Sequence, residues 1–251
     1  MSFQDHFSHQ SEYYLKGRPH YPDELFDFLA KISPARETCW DCGTGNGQAA
    51  ISLAKYFKKI IATDPSASQI QNGIAKNNIE YRVATAESSG LPDNFVDLVT
   101  AATAAHWFEH DKFYAEAKRV GKPEAVIAVW AYSEPVISTE IDEIMLWFMY
   151  DYLGDYWPDG RWYVRNKYET LPFPFRAMKT PEFFCITNWN KEQYLDYVRS
   201  WSSYSRYIAK HPDDPIDILL GRIKSLWNNE VKHITWKLHL KCAKINTFGS
   251  L

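Results

Sequence analysis

The chain has 251 residues, a formal net charge of −3, 16% aromatic residues and four cysteines. That length can bury a core without disulfides or metals. The mildly negative balance argues against a nucleic-acid partner, and no apolar run is long enough to span a bilayer. The start, Met1-Ser2-Phe3-Gln4-Asp5-His6, lacks the pattern of a signal peptide, so a cytoplasmic location is expected.

Residues 1–33 carry Tyr13, Tyr14, Arg18, Pro19, Tyr21 and Pro22, then an amphipathic helix. Its apolar face is expected to be Leu25, Phe28, Leu29 and Ile32. The stretch from Cys39 to Gln48 follows. Beyond it, Ala50, Ile51, Leu53, Ala54 and Phe57 recur at helical spacing. Gly43, Gly45 and Gly47 therefore fall where a short strand turns into a helix. Glycine there permits positive φ and close backbone approach to a ligand. The pattern departs from the dinucleotide fingerprint G-x-G-x-x-G: Gln48 stands where the third glycine belongs, and Gly47 comes one residue early. Asp41, two residues before Gly43, would repel a pyrophosphate and favour a cation. A nucleoside ligand with positive charge suits the loop better than NAD, and S-adenosylmethionine, a sulfonium with an α-amino group, meets that description.

Cys39 and Cys42 have a spacing used for redox and zinc sites. Three strand residues extend roughly 10 Å, and the odd offset points the two thiols to opposite faces. With Cys185 and Cys242 they read as free, buried thiols.

The run Asp41-Cys42-Gly43-Thr44-Gly45-Asn46-Gly47 resembles the glycine motif of class I S-adenosylmethionine-dependent methyltransferases. That resemblance implies that Asp41, Gly43, Thr44, Gly45 and Gly47 surround the cofactor. The run Tyr14-x-x-x-Arg18-Pro19-x-Tyr21-Pro22 resembles the N-terminal segment of a subfamily of small-molecule enzymes that includes trans-aconitate methyltransferases. It implies that Tyr14 and Arg18 close over the cofactor; an ordinary docked arm is the alternative.

Lys59 to Asp64 reads as the second strand. Asp64, about 20 residues past the glycines, is placed to accept both ribose hydroxyls. Ser66 and Gln69 make a capping box for the next helix. Ile79 to Val83 reads as the third strand. The resemblance then implies that Ala86 and Glu87 line the adenine. Asp97 to Ala102 is the fourth strand, and ligands of open α/β sheets bind outside the carboxyl ends of strands. Thr103, Ala104, His106 and Trp107 are thus expected beside the cofactor. A helix with Phe113, Tyr114, Ala117 and Val120 leads to a fifth strand, Glu124 to Trp130. This alternation argues for an α/β fold, a doubly wound Rossmann-like sheet over residues 1–134.

The rhythm then stops. Residues 135–182 and 190–230 read as helical, aromatic-rich cap insertions over an acceptor pocket. Residues 183–189 and 231–251 read as late strands completing the sheet, with the period-two run Ile234, Trp236, Leu238, Leu240 and Cys242 antiparallel. Arg161 and Arg165, four apart among aromatics, are candidates to hold a carboxylate, and Trp201 and Tyr204 to line the acceptor pocket.

His106-Trp107-Phe108-Glu109-His110 also matches the zinc signature H-x-x-E-H. A zinc site needs both histidines one turn apart on a helix, yet His106 directly follows a strand. No metal is expected. The pattern is read as methyl transfer from S-adenosylmethionine, giving S-adenosylhomocysteine, to a small molecule, with a carboxylic acid O-methylated to its ester as the candidate acceptor. A hydroxyl or amine acceptor would need a base, and His106 is the candidate by position; a pocket-wall residue is its other reading. Two further classes stay open: a cofactor-binding protein without turnover, and a methyltransferase acting on protein or nucleic acid. The Asn-Pro-Pro-Tyr motif of amino-methyltransferases is replaced here by Thr103-Ala104-Ala105-His106.

Overall fold

The computed structural model describes residues 17–228 and 230–245. Its strands are β1 (Thr38–Cys42), β2 (Lys59–Asp64), β3 (Ile79–Val83), β4 (Val96–Ala102), β5 (Gly121–Tyr132), β6 (Phe184–Trp189) and β7 (Lys232–Lys244). They form one sheet in the order β3-β2-β1-β4-β5-β7-β6. The first five pair in parallel, with Asp41 level with Ala62 on one side and Thr100 on the other. β7 runs antiparallel to both β5 and β6. This is the doubly wound, mostly parallel sheet with late antiparallel pairing that the sequence pattern predicts.

Burial follows position in the sheet. β1 is buried along its whole length and β4 nearly so, as central strands covered on both faces must be. Edge strand β3 is half-exposed. Cys39 enters the apolar cluster on one face of the sheet and Cys42 the cluster on the other. All four cysteines are free and buried.

The helices are α1 (Asp23–Ile32), α2 (Gln48–Leu53), α3 (Ala67–Gln71), α4 (His110–Val120), α5 (Thr139–Trp147), α6 (Arg161–Arg165), α7 (Lys191–Arg199), α8 (Ser202–Ile208) and α9 (Pro215–Ile223). α1 buries Leu25, Phe26, Leu29 and Ala30, a face rotated from the one expected. Phe28 and Ile32 sit half-buried at its margin. The rotation lets Phe26 meet Trp130 edge-on, with ring centroids 6.3 Å apart. α4 buries Phe113, Tyr114, Ala117 and Val120 as predicted. Ser66 caps α3, its hydroxyl accepting from Gln69 N–H at 3.3 Å.

Strand order reverses between β1 and β4. A crevice therefore opens outside the carboxyl ends of these strands, where open α/β sheets bind ligands.

Candidate active site

The crevice is built first by the loop from β1 to α2. Gly43 and Gly47 both take positive φ, 64° and 94°. A Cβ on Gly43 would lie 2.6 Å from the Ala104 Cβ, and one on Gly47 would lie 2.0 Å from the Tyr81 hydroxyl. Glycine is needed at both places for conformation and for space. Beneath the loop, the fully buried Asp41 accepts from the Thr44 hydroxyl at 2.5 Å and the Thr100 hydroxyl at 2.7 Å. Burial pushes its carboxyl up to about 6, against the pull of the two threonines. Asp41 does not reach the cavity surface, and its direct role is to hold the loop to β4.

Thr44, Gly45 and Asn46 form the cavity side of the loop. The Gly45 N–H donates to Asp64 at 2.9 Å, and the Ser66 N–H donates to the other carboxylate oxygen at 2.9 Å. Asp64 is thereby oriented at the end of β2, on the cavity wall. Asn46 is 2% exposed and lies on the same wall, yet among the described residues neither its amide nitrogen nor its amide oxygen has a hydrogen-bond partner. Buried amides are rarely left so without a ligand or water to satisfy them.

Ala86 and Glu87 lie across from the loop. Glu87 accepts from the Glu109 N–H at 2.9 Å. Past β4, Thr103 takes φ 53°, unusual for a β-branched residue, and its hydroxyl sits 2.9 Å from that of Tyr21. The wall continues through Ala104, His106 and the 37% exposed Trp107. Pro158, Gly160, Trp162 and Tyr163 around α6, and Arg206 of α8, line the same cavity. Its volume is about 1510 Å³. Single small-molecule pockets run roughly 300–1,000 Å³, so there is room for two ligands together.

A methyltransferase-domain family profile matches residues 40–129. A Dictyostelium discoideum protein named as a methyltransferase is 35% identical over 210 residues, covering 82% of this chain and 80% of that protein. The chain belongs to the class I S-adenosylmethionine-dependent methyltransferases. A Saccharomyces cerevisiae protein described as S-adenosylmethionine-dependent is 22% identical, over 91% of this chain and 92% of its own length. Among solved structures, one described as a type II methyltransferase from Anaeromyxobacter dehalogenans superposes with a TM-score of 0.84 at 34% identity. It covers 91% of this chain and 98% of that one.

The residues present fit S-adenosylmethionine. The acceptor-rich Asp64 suits a diol, the vacant Asn46 amide supplies one donor group and one acceptor, and Ala86 with Glu87 flanks the far wall. Gly43, Thr44, Gly45, Thr103, Ala104 and Trp107 surround the same space. Gly47 is off the cavity wall, against the Tyr81 hydroxyl. Arg18 is also off the wall: its guanidinium donates to the Tyr132 hydroxyl and the Ser200 carbonyl, both at 2.8 Å. Tyr14 lies outside the described residues.

The methyltransferase's acceptor candidates separate. Trp201 is 2% exposed and packs on Trp157, centroids 5.5 Å apart. Tyr204 donates to Asp214 at 3.3 Å. Arg165 is exposed and lies over the Tyr150 ring at 4.2 Å. None of the three lines the cavity, and Arg161 does not either. Arg161 is half-buried, stacked over Trp157 at 4.5 Å, and its buried Nε has no acceptor among the described residues. No carboxylate of a described residue pairs with it. Together with burial, its charge helps drive the His106 imidazole well below its usual range. The H-x-x-E-H side chains serve separate partners: His106 meets Tyr168, His110 meets the Ala105 carbonyl, and Glu109 pairs with Lys112.

Sequence reasoning passed over Asn46, Arg206 and Tyr168. Asn46 had a local signal, a polar residue between two loop glycines. Arg206 and Tyr168 had none, since only the folding of residues after β5 brings them to the cavity and to His106.

Proposed function

We propose that this methyltransferase acts on a small molecule bearing a carboxylate and forms its methyl ester. The observation that supports this is Arg161, a half-buried guanidinium whose charge acts on the cavity-lining His106; among the described residues no acid neutralises it and its buried Nε lacks an acceptor. A guanidinium fork matches a carboxylate in charge and geometry.

S-adenosylmethionine supplies a methyl group already activated on a sulfonium. The chain's own work is positional. Asp64 holds the ribose, Asn46 and the glycine loop hold the amino-acid portion, and Ala86 and Glu87 flank the adenine. The residues of 135–182 and 190–230 form a cap that covers the acceptor and excludes water. Holding two reactants in line can supply much of the rate. A carboxylate oxygen is already anionic at neutral pH, so no base is required of the site.

The test is incubation of the protein with a methyl-labelled donor and a metabolite extract, followed by mild alkaline hydrolysis. A methyl ester releases labelled methanol. Label that survives alkali in every product would overturn the ester reading while leaving methyl transfer intact.

A further inference from the structure

His106 touches one side chain through a hydrogen bond, and that contact decides what its imidazole can do. The turn after α6 carries two consecutive left-handed residues, Lys167 at φ 55° and Tyr168 at φ 60°. The turn is closed by Tyr168 N–H donating to the Tyr163 carbonyl at 2.8 Å. It drives the Tyr168 ring into the interior, where it is fully buried. Its hydroxyl oxygen lies 2.9 Å from His106 Nδ1.

Two proton arrangements satisfy that distance. If Nδ1 carried the hydrogen, it would donate to the hydroxyl oxygen. The phenol's own hydrogen would then be buried with no acceptor among the described residues, an arrangement native interiors avoid. If the phenol donates to Nδ1, every hydrogen has a place, and the neutral imidazole carries its proton on Nε2. Burial keeps the phenol protonated. Burial, with Arg161, His110 and Arg18 nearby, keeps the imidazole neutral. His106 lines the cavity, and no described residue hydrogen-bonds to its Nε2.

We propose that Tyr168 is a positioning residue that locks His106 as a hydrogen-bond donor through Nε2–H, so that His106 orients the acceptor instead of taking a proton from it. The base role is closed to this imidazole: Nε2 is already protonated and Nδ1 is covered. Its target, an acceptor carboxylate oxygen shared with Arg161, rests on the function proposed above. The tautomer does not.

The tests read the two parts separately. Nitrogen-15 spectra of the histidine rings should show His106 as the neutral Nε2–H tautomer near pH 7, and Tyr168→Phe should shift it to a mixture. Tyr168→Phe should raise acceptor KM severalfold while S-adenosylhomocysteine affinity, which reports the fold, holds. His106→Gln keeps an N–H near the position of Nε2 but cannot act as a base at neutral pH. It should retain kcat within about tenfold of wild type, while His106→Leu should lose a hundredfold or more in kcat/KM. An Nδ1–H tautomer in the wild type would overturn the proposal, as would a glutamine variant as inactive as the leucine one. An acceptor without a carboxylate would remove the target and leave the tautomer standing.

Discussion

Gly160 lies directly against the carbonyl of His106: a Cβ there would fall 2.5 Å from that oxygen and 3.4 Å from the Trp107 ring. Its φ of −58° suits any residue, so contact alone demands glycine. The obstructing atom is backbone and cannot rotate away. Gly160→Ala should therefore push the start of α6 off the turn at Ala105–Trp107. Overpacking of this kind costs about 1–3 kcal/mol. Acceptor KM should rise, and limited proteolysis should cut more readily between residues 155 and 170, with S-adenosylhomocysteine affinity less affected. Unchanged acceptor kinetics would mean that the site does not need this contact.

That contact also marks how far the sequence could be read. Local patterns carry local facts. The apolar runs Lys59–Asp64 and Ile79–Val83 are β2 and β3 to the residue. The glycines and Asp64 meet because a strand-turn-helix unit and its neighbour fix their separation. α1 shows where periodicity fails in detail: its face turns toward Phe26 because Trp130, a hundred residues away, receives that ring. The cap is harder still. Arg161 and Arg165 look equivalent in sequence, four apart on a helix. Only the packing of Trp157 beneath one and of Tyr150 beneath the other separates the inward guanidinium from the exposed one.

Asp41 gives a pH signature. Its folded carboxyl titrates at about 6, above the value of 3.8 expected when unfolded. Between those values the folded chain holds a proton that the unfolded chain has lost. Stability from this group is thus full below about pH 4 and falls as pH rises to 6. The loss is about 2–3 kcal/mol. Asp41→Asn cannot titrate, and its amide can still meet Thr44 and Thr100. Its melting temperature relative to wild type should climb between pH 4 and 7. A constant difference across that range would show that Asp41 keeps an ordinary carboxyl.

Asn46 and Asp64 should respond oppositely in the ligand-free protein. The Asn46 amide has no partner among the described residues, so Asn46→Ala should leave stability unchanged or raise it. Asp64 holds the N–H groups of Gly45 and Ser66, so Asp64→Ala should lower stability by about 1–3 kcal/mol. Both should weaken S-adenosylhomocysteine, roughly 5- to 150-fold for Asp64→Ala if it accepts the ribose hydroxyls. Calorimetry beside thermal melts reads both quantities. An Asn46→Ala protein that is less stable yet binds normally would make the amide structural.

The two arginines of α6 supply the sharpest test of the acceptor. Lysine in place of arginine keeps the positive charge and removes the planar fork. At Arg161 the fork is held by Trp157, with Nε buried, so a lysine loses both the stacking and the paired donors. Arg161→Lys should raise acceptor KM by about tenfold or more, the loss expected for a charge-assisted bidentate contact worth about 1.5–3 kcal/mol. Arg165 lies outside, over Tyr150, and Arg165→Lys should behave as wild type. Cofactor affinity should hold in both, because neither side chain reaches the cavity wall around Asp64. Equal losses at the two positions would point to a general electrostatic field, and no loss at Arg161 would remove the carboxylate from the proposed chemistry.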